Sequence, residues 1–510
     1  MYYDCIVVGS GNAGSCAALS AKENGCQKVL LVDKCSPEWV GGNGYFTAGA
    51  FRIVHNGLED LLPIVQNVSP EQAKHIDLDP YSHANFIEDI MRLSGRRSDP
   101  TLAASLVESS RDAVDWLAGH QVPFILSFHR QAYEVGGRQK FWGGLVLSIE
   151  DGGKGLIAAE HEALKKAGVE IWFDCPLVNL LVQDGTVTGA VVRKDGSELS
   201  IESGGVILAA GGFEANSKLR VTHLGMGWEK AKVRGTPFNT GDCFAIAEGV
   251  GAKFTGDWAS CHSTTWDFNA PEIGARNLTN QFTKSGYPLG IMVNANGVRF
   301  VDEGEDYRNY TYARFGKAIL QQPEGFAFQV WDSKMLGMLR KEEYGDGVVE
   351  KIFADTIDEL ARKLSGIGLM DQAQFVETIQ SYNAAVTQHK LENSDWHWDP
   401  AVKDGLSTES SNLSLSPPKS HWAESIDKSP FMAVKVCCGI TFTFGGLAID
   451  PVSAAVLSES AGPIPGLFCA GEMVGGLFYN NYPGGSGLSA GAVFGRKAGA
   501  SVANRPNIRK

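Results

Sequence analysis

The sequence predicts an α/β protein whose Rossmann-type nucleotide-binding domain is split in sequence around an inserted α+β capping domain. Three observations predict it. Residues 3–33 run strand, glycine turn, helix, second strand and acid, in that order. Between about residues 255 and 430 the glycine-rich texture gives way to one richer in Trp, Tyr and Asn. From Phe431 the glycine-rich texture returns and closes on a final helix. The implied division is 1–254 and 431–510 for the nucleotide-binding pieces and 255–430 for the capping, substrate-side domain.

The opening unit carries the chemistry of a dinucleotide site. Tyr3–Val8 reads as a strand, and Gly9 permits the tight turn after it. Gly11 lets backbone approach a pyrophosphate, and Gly14 lets the helix pack closely on the strand. A helical run follows Asn12-Ala13-Gly14, and its N-terminus faces the phosphates with its free amides. Asp33, 19 residues after Gly14 and followed by Lys34, stands where an acid accepts hydrogen bonds from ribose hydroxyls.

Further elements follow in order. Gly41–Gly49 is a glycine-rich loop, and residues 56–130 read as charged and helical. A helix is expected over 154–168. Short strands follow at Val169–Phe173, Val178–Gln183, Val187–Lys194 and Leu199–Ser203, and the turns Asp184-Gly185 and Asp195-Gly196 suggest a meander. Gly205–Gly212 reads as a buried parallel strand ending in glycines. Helices are expected around 354–365 and 370–391, then a Pro- and Ser-rich connector over about Thr408–Ser420.

The bulk numbers exclude several classes. A net charge of -13, with no run of Lys and Arg, argues against nucleic acid as a partner. The ten cysteines form no CxxC pair, which disfavours zinc, iron–sulfur and c-type haem sites and predicts buried free thiols, Cys437-Cys438 included. No His, Asp and Glu grouping has metal-ligand spacing. The chain starts directly on its first strand, carries no bilayer-length apolar stretch, and ends in Asn507–Lys510, which matches no sorting signal. The expectation is a cytoplasmic protein in a reducing compartment.

Taken together, these segments resemble the fumarate reductase/succinate dehydrogenase flavoprotein family. The resemblance rests on the fingerprint, Gly41-Gly42-Asn43, Leu208–Phe213, Asn239–Asp242, Val293–Phe300 and Gly466–Glu472, in family order along the whole chain. Within the family, Arg299–Gly304, Arg308–Ala313, Gly439–Gly446 and Gly475–Gly485 look most like the FAD-dependent tricarballylate dehydrogenase branch. The resemblance implies FAD and hydride exchange between flavin N5 and a carbon of a CH–CH or C=C bond beside a carbonyl or carboxylate. Two other readings keep the flavin: an isomerase or cyclase without net redox change, and a non-enzymatic flavin-binding protein.

The implied FAD contacts are Gly9, Gly11, Asn12, Ala13, Gly14, Asp33, Lys34, Gly42, Asn43, Thr47, Ala48, Gly49, Val178, Ala210, Gly211, Thr240, Gly241, Asp242, Gly471, Glu472, Gly485, Gly487 and Leu488. Asp242 is alternatively a helix N-cap. The helix opening near Gly485 points amides at the flavin, which stabilises negative charge on the reduced ring. Phe46 precedes Thr47 where covalent members carry a His, so the FAD is expected to be non-covalent.

The implied catalytic set is Tyr482, Arg308, Tyr312 and His262, acting on a small-molecule substrate. Arg308, Tyr312 and Arg314 compete for the position of the family's catalytic Arg, and Arg308 alternatively pairs with Glu305 or Asp306. Two family carboxylate ligands fall at Phe442 and Tyr482, which argues against a dicarboxylate bound as in fumarate reductases. Phe442, Phe444, Phe478 and Tyr479 are candidates for an aromatic pocket or for core. Trp258 and Trp266 flank His262 and are candidate lining residues. Electrons enter or leave through oxygen, a soluble carrier or a separate partner, since the chain carries no haem or iron–sulfur motif.

Overall fold

The computed structural model describes residues 1–505 except Thr279 and Ala461. The tetrapeptide Asn507–Lys510 lies outside the described residues.

Apolar runs buried on both faces make a parallel sheet. Its order is Ala455–Leu457, Pro463–Cys469, Val206–Leu208, Cys5–Val8, Val29–Val32, Glu170–Trp172. All neighbours are parallel except Ala455–Leu457, which runs antiparallel on the edge. The last segment thus returns to the sheet begun by the first. Glu170–Trp172 is an edge strand of this sheet and not part of the meander. It follows the helix Gly152–Lys166, and a crossover helix returns its strand parallel to the sheet. The meander itself comprises Leu177–Gln183, Thr186–Lys194 and Ser197–Ser203.

The fingerprint helix Asn12–Glu23 and the terminal helix Ser486–Ala503 lie against each other at backbone distance. A Cβ on Gly495 would stand 2.5 Å from the Ala13 oxygen, and one on Gly499 2.3 Å from the Ala17 oxygen. Only hydrogen on these Cα atoms allows the approach. It brings the start of the terminal helix to the fingerprint turn, where Asn12 Nδ2 donates to the Leu488 oxygen at 3.0 Å.

A second sheet runs Lys232–Val233, Phe431–Leu447, Ala327–Trp331, Ile291–Asn294, and Phe254–Asp267 pairs along the 17-residue strand Phe431–Leu447. Alternate residues serve alternate faces. Phe328 and Val330 pack with Leu360, Phe375 and Ile379 of the helices Ile357–Ser365 and Gln372–Glu392. Ala327 and Trp331 pack with Phe315 and Ile319 of the helix Arg308–Leu320. That second layer carries Arg308 and Tyr312. The segment 56–130 holds four helices, the longest being Pro100–Gly119, capped by Asp99.

Gly495→Val is expected to cost about 3 kcal/mol through overpacking, read as a lowered thermal midpoint. Gly119→Ala, where nothing lies within 4 Å of the added Cβ, is the control and loses nothing.

Candidate active site

An elongated cavity with an empty volume of about 1920 Å³ runs between the two sheets. Its wall at one end is the fingerprint: Gly9, Gly11, Asn12, Ala13, Asp33 and Lys34. Asp33 holds the turn, accepting from Ser10 N at 2.8 Å and Ser10 Oγ at 2.7 Å through one oxygen. Its other oxygen takes only Cys35 N, at 2.9 Å. Lys34 pairs with Asp242 and donates to Thr240 Oγ1. Asp242 is therefore an ion-pair partner in the first turn of its helix, and Gly241 takes the cap position.

The middle of the cavity is lined by Gly42, Asn43, Thr47, Ala48, Ala210, Gly211, Gly471 and Glu472. Gly485, Gly487 and Leu488 close the far side. Gly14, Gly49, Val178 and Thr240 stand outside the wall. A Cβ on Gly14 would meet the Gly9 oxygen at 1.9 Å, so that glycine serves helix-to-strand packing. On the strand Leu177–Gln183, Leu177 lines the cavity rather than Val178, since successive residues face opposite ways.

Two helices begin at this wall without a side-chain cap: Asn12–Glu23 after Gly11, and Ser486–Ala503 after Gly485. Ser486 N donates to the Pro483 oxygen at 3.2 Å, while the Gly487 and Leu488 amides and those of Asn12 and Ala13 are open to ligand oxygens, and the helix dipoles favour negative charge there. One start suits a diphosphate, and the other suits the carbonyls of a ring.

Glu472 lines the cavity and is anchored from the strand Phe431–Leu447. Its Oε1 accepts from Thr443 N at 2.7 Å and Thr443 Oγ1 at 3.0 Å. Glu214, 0% exposed, stands beside it and accepts from Asn43 and Asn239. Burial first, then the Glu472 charge, pushes the Glu214 carboxyl well above the usual range. Like charges this close share one proton.

Another part of the wall holds the two candidate tyrosines. Tyr312 and Tyr482 hydroxyls meet at 2.7 Å. Tyr482 sits in a loop bonded to the helix that carries Tyr312: Asn481 Nδ2 donates to the Tyr310 oxygen at 2.6 Å, and Gly484 N to the Asn309 oxygen at 2.8 Å. Burial pushes both phenols up, Tyr482 further. The Tyr482 hydroxyl and the charges of Arg234, Arg52 and Arg130 pull Tyr312 partly back.

His262 faces Phe442 across paired strands, and its ring stands edge-on to both tyrosines, at 4.9 and 5.3 Å. Burial, reinforced by the Arg234 charge, holds its pKa well below the ordinary value, so the imidazole is neutral. His262 Nε2, Thr264 Oγ1, Thr283 Oγ1 and Arg234 Nε are buried with no partner in the chain, and all four residues line the cavity. Buried polar atoms are normally satisfied, so this cluster marks where a ligand's polar atoms belong.

Helical phase sorts the three rivals. Arg308 and Tyr312, four residues apart, line the cavity from one face of their helix. Arg314 turns away and pairs with Glu305. Arg308 pairs with neither Glu305 nor Asp306; Asp306 instead binds Arg92 and Lys403. Of the aromatic candidates, Phe442 lines the cavity, while Phe444 and Phe478 pack behind it and Tyr479 lies over Arg97. Trp258 stacks on Phe213 and Trp266 sits in the core, so neither reaches the wall. Arg130, Arg234, Arg340, Ser285 and Thr441 line the cavity without having been read from the sequence. They come from segments far apart in the chain, and no local spacing marks them.

The turn, the ribose acid and two uncapped helix starts on one cavity define a dinucleotide-binding flavoprotein fold, and the wall fits FAD. Residues 4–488 match the FAD-binding domain family. A "Probable fumarate reductase" of Shewanella frigidimarina is 29% identical over 98% of this chain and 74% of that protein. The open conformation of a flavocytochrome c3 fumarate reductase shares 28% identity at a TM-score of 0.69, covering 98% of this chain and 78% of that one. A 3-ketosteroid delta1-dehydrogenase from Sterolibacterium denitrificans shares the fold at a TM-score of 0.73 and 21% identity, over 98% and 99% of the two chains. The chain belongs to the FAD-binding domain family. It is an FAD-dependent oxidoreductase.

The shared proton has a signature. The folded state keeps a proton at Glu214 that the unfolded chain releases, so stability falls as pH rises above the ordinary carboxylate range. Glu214→Gln removes this effect. Its stability relative to the unchanged protein should climb as pH rises above the ordinary carboxylate range, by up to about 1.4 kcal/mol per pH unit. Thermal melts above that range check it, and a flat difference contradicts a shared proton.

Proposed function

We propose that the protein exchanges hydrogen across a carbon–carbon bond next to a carbonyl or carboxylate of a small molecule, using non-covalent FAD. The observation that carries this reading is the Tyr312–Tyr482 hydroxyl pair on the cavity wall. Bound FAD supplies the hydride acceptor or donor. The chain supplies the rest. Tyr482, the phenol held further up, keeps its proton and donates to the substrate's carbonyl oxygen, which makes the neighbouring carbon's hydrogen acidic. In the reducing direction Tyr312 donates its proton to the carbon; in the oxidising direction it takes the carbon's proton as a phenolate, after its own proton has left to solvent, and the charges of Arg234, Arg52 and Arg130 favour that anion. Neutral His262 offers Nε2 to a further polar atom of the substrate. The cap sheet and the helix Arg308–Leu320 cover the reacting atoms and limit water.

Several finer points belong to this reading. The residues 255–430 act as the cap, which also receives the strand Phe431–Leu447 from the last segment. Phe46, buried and stacked on Trp39, offers no atom for a covalent flavin link. Acid precipitation should leave all flavin in the supernatant, and flavin in the pellet contradicts this. Ten free buried cysteines support a cytoplasmic, reducing setting. Among the described residues, no helix is long and apolar enough to cross a membrane.

Tyr482→Phe and Tyr312→Phe test the roles. Each should lower kcat and kcat/KM together by about 10²-fold or more with flavin content unchanged. Steady-state reduction of α,β-unsaturated ketones and acids reads this out. Unimpaired turnover in either variant contradicts the assigned role.

A further inference from the structure

Three arginines from three segments meet where the cavity joins a second one. Arg130, Arg308 and Arg340 line both cavities, as does Ser285. Arg308 and Arg340 both donate to the Arg130 carbonyl oxygen. Their other arms approach Ser285 Oγ at 3.4 and 3.2 Å. One carboxylate answers them. Glu343, whose side chain is 0% exposed, lies 3.2 Å from Arg340 and 3.4 Å from Arg130. It also accepts from Ser285 N at 2.8 Å and Ser285 Oγ at 2.6 Å, so its acceptor capacity is largely used.

The cluster therefore holds three permanent positive charges against one negative. Arginines keep their charge even in poor solvent. Burial disfavours the charged form of Arg308, and the Arg130 charge adds to that. Like charges are held together here, and among the described residues Glu343 is the one carboxylate paired with them. Arg308's guanidinium otherwise lies over the Trp142 ring, at 5.2 Å. Planar forks facing a cavity match a carboxylate two oxygens at a time.

The position adds direction. Arg308 and Tyr312 lie four residues apart on one helix, roughly 6 Å along its axis. The positions where the family resemblance expects cationic carboxylate ligands hold Phe442 and Tyr482. Positive charge on the wall sits instead at Arg130, Arg308 and Arg340, of which Arg308 is one helical turn from Tyr312.

We infer that Arg130, Arg308 and Arg340 bind a carboxylate of the substrate that is separate from the carbonyl held at Tyr312 and Tyr482. The substrate is then an oxo acid that arrives through the second cavity with its carboxylate meeting the arginines. This rests on the proposed reaction only in taking the tyrosine pair as the reacting end.

Titration calorimetry of the FAD-loaded protein tests it without turnover. The probes are levulinate and its one-carbon-longer homologue, each against its methyl ester. The better-fitting acid should bind about tenfold or more tighter than its ester, the size of a charge-assisted pair. Arg340→Gln and Arg130→Gln, on different segments, should each remove that preference and leave ester binding unchanged. Two variants keep the test open if one fails to fold. Equal binding of acid and ester, no binding of either, or a preference intact in both variants overturns the inference. Flavin bleaching by acid and ester alike would sink this subsite and keep the proposed reaction. A preference lost in the variants, with no flavin response to any ketone, would keep the subsite and sink the reaction.

Discussion

Tyr482 meets Tyr312 because one loop is bonded to two layers at once. Residues 481–485 are stitched to the cap helix through the Asn309 and Tyr310 oxygens. The same loop is held from the nucleotide side by Arg52, fully buried, whose Nε donates to the Gly484 oxygen at 2.8 Å. Arg52 also reaches the Gly143 oxygen and the Tyr81 and Tyr310 hydroxyls. The loop ends at Gly485, whose φ of 87° starts the terminal helix. The glycine face of that helix then sets its height on the fingerprint helix. A shift at any of these contacts moves the phenol, the free amides and the cavity wall together.

Charge is distributed along the cavity in a way that suits redox chemistry on an anion. Free helix amides lie at both the fingerprint and the terminal helix. Between them, burial pushes both the Glu214 and the Glu472 carboxyl above the usual range, Glu214 further, which lowers the negative charge there. At the reactive end the only imidazole on the wall is neutral, and the cations are guanidiniums. Burial pushes both phenols up, Tyr482 further than Tyr312.

What the sequence made legible was local. Gly9, Gly11, Asp33 and Gly485 belong to short motifs, and all four line the cavity. Setting Arg314 apart from Arg308 and Tyr312 needed only helical phase, which the sequence carries once the helix is fixed at Arg308. Pocket chemistry depending on distant segments was hidden. Arg130, Arg234 and Arg340 converge from a short helix, a strand end and a helix start. Reading Phe442 and Tyr482 as lost cations therefore underestimated the positive charge of the site. Trp258 and Trp266 misled because flanking a residue in sequence says little when the strand carries bulges between Asp257 and Ser263.

The account stands on flavin redox at a carbon–carbon bond, and anaerobic flavin absorbance measures that directly. The oxidised, FAD-loaded protein is titrated with saturated ketones, oxo acids and di- and tricarboxylates, and the dithionite-reduced protein with their unsaturated counterparts. The account predicts that one saturated compound bleaches the flavin, or that its unsaturated partner restores the oxidised spectrum. Product formed while the flavin stays oxidised throughout would contradict it.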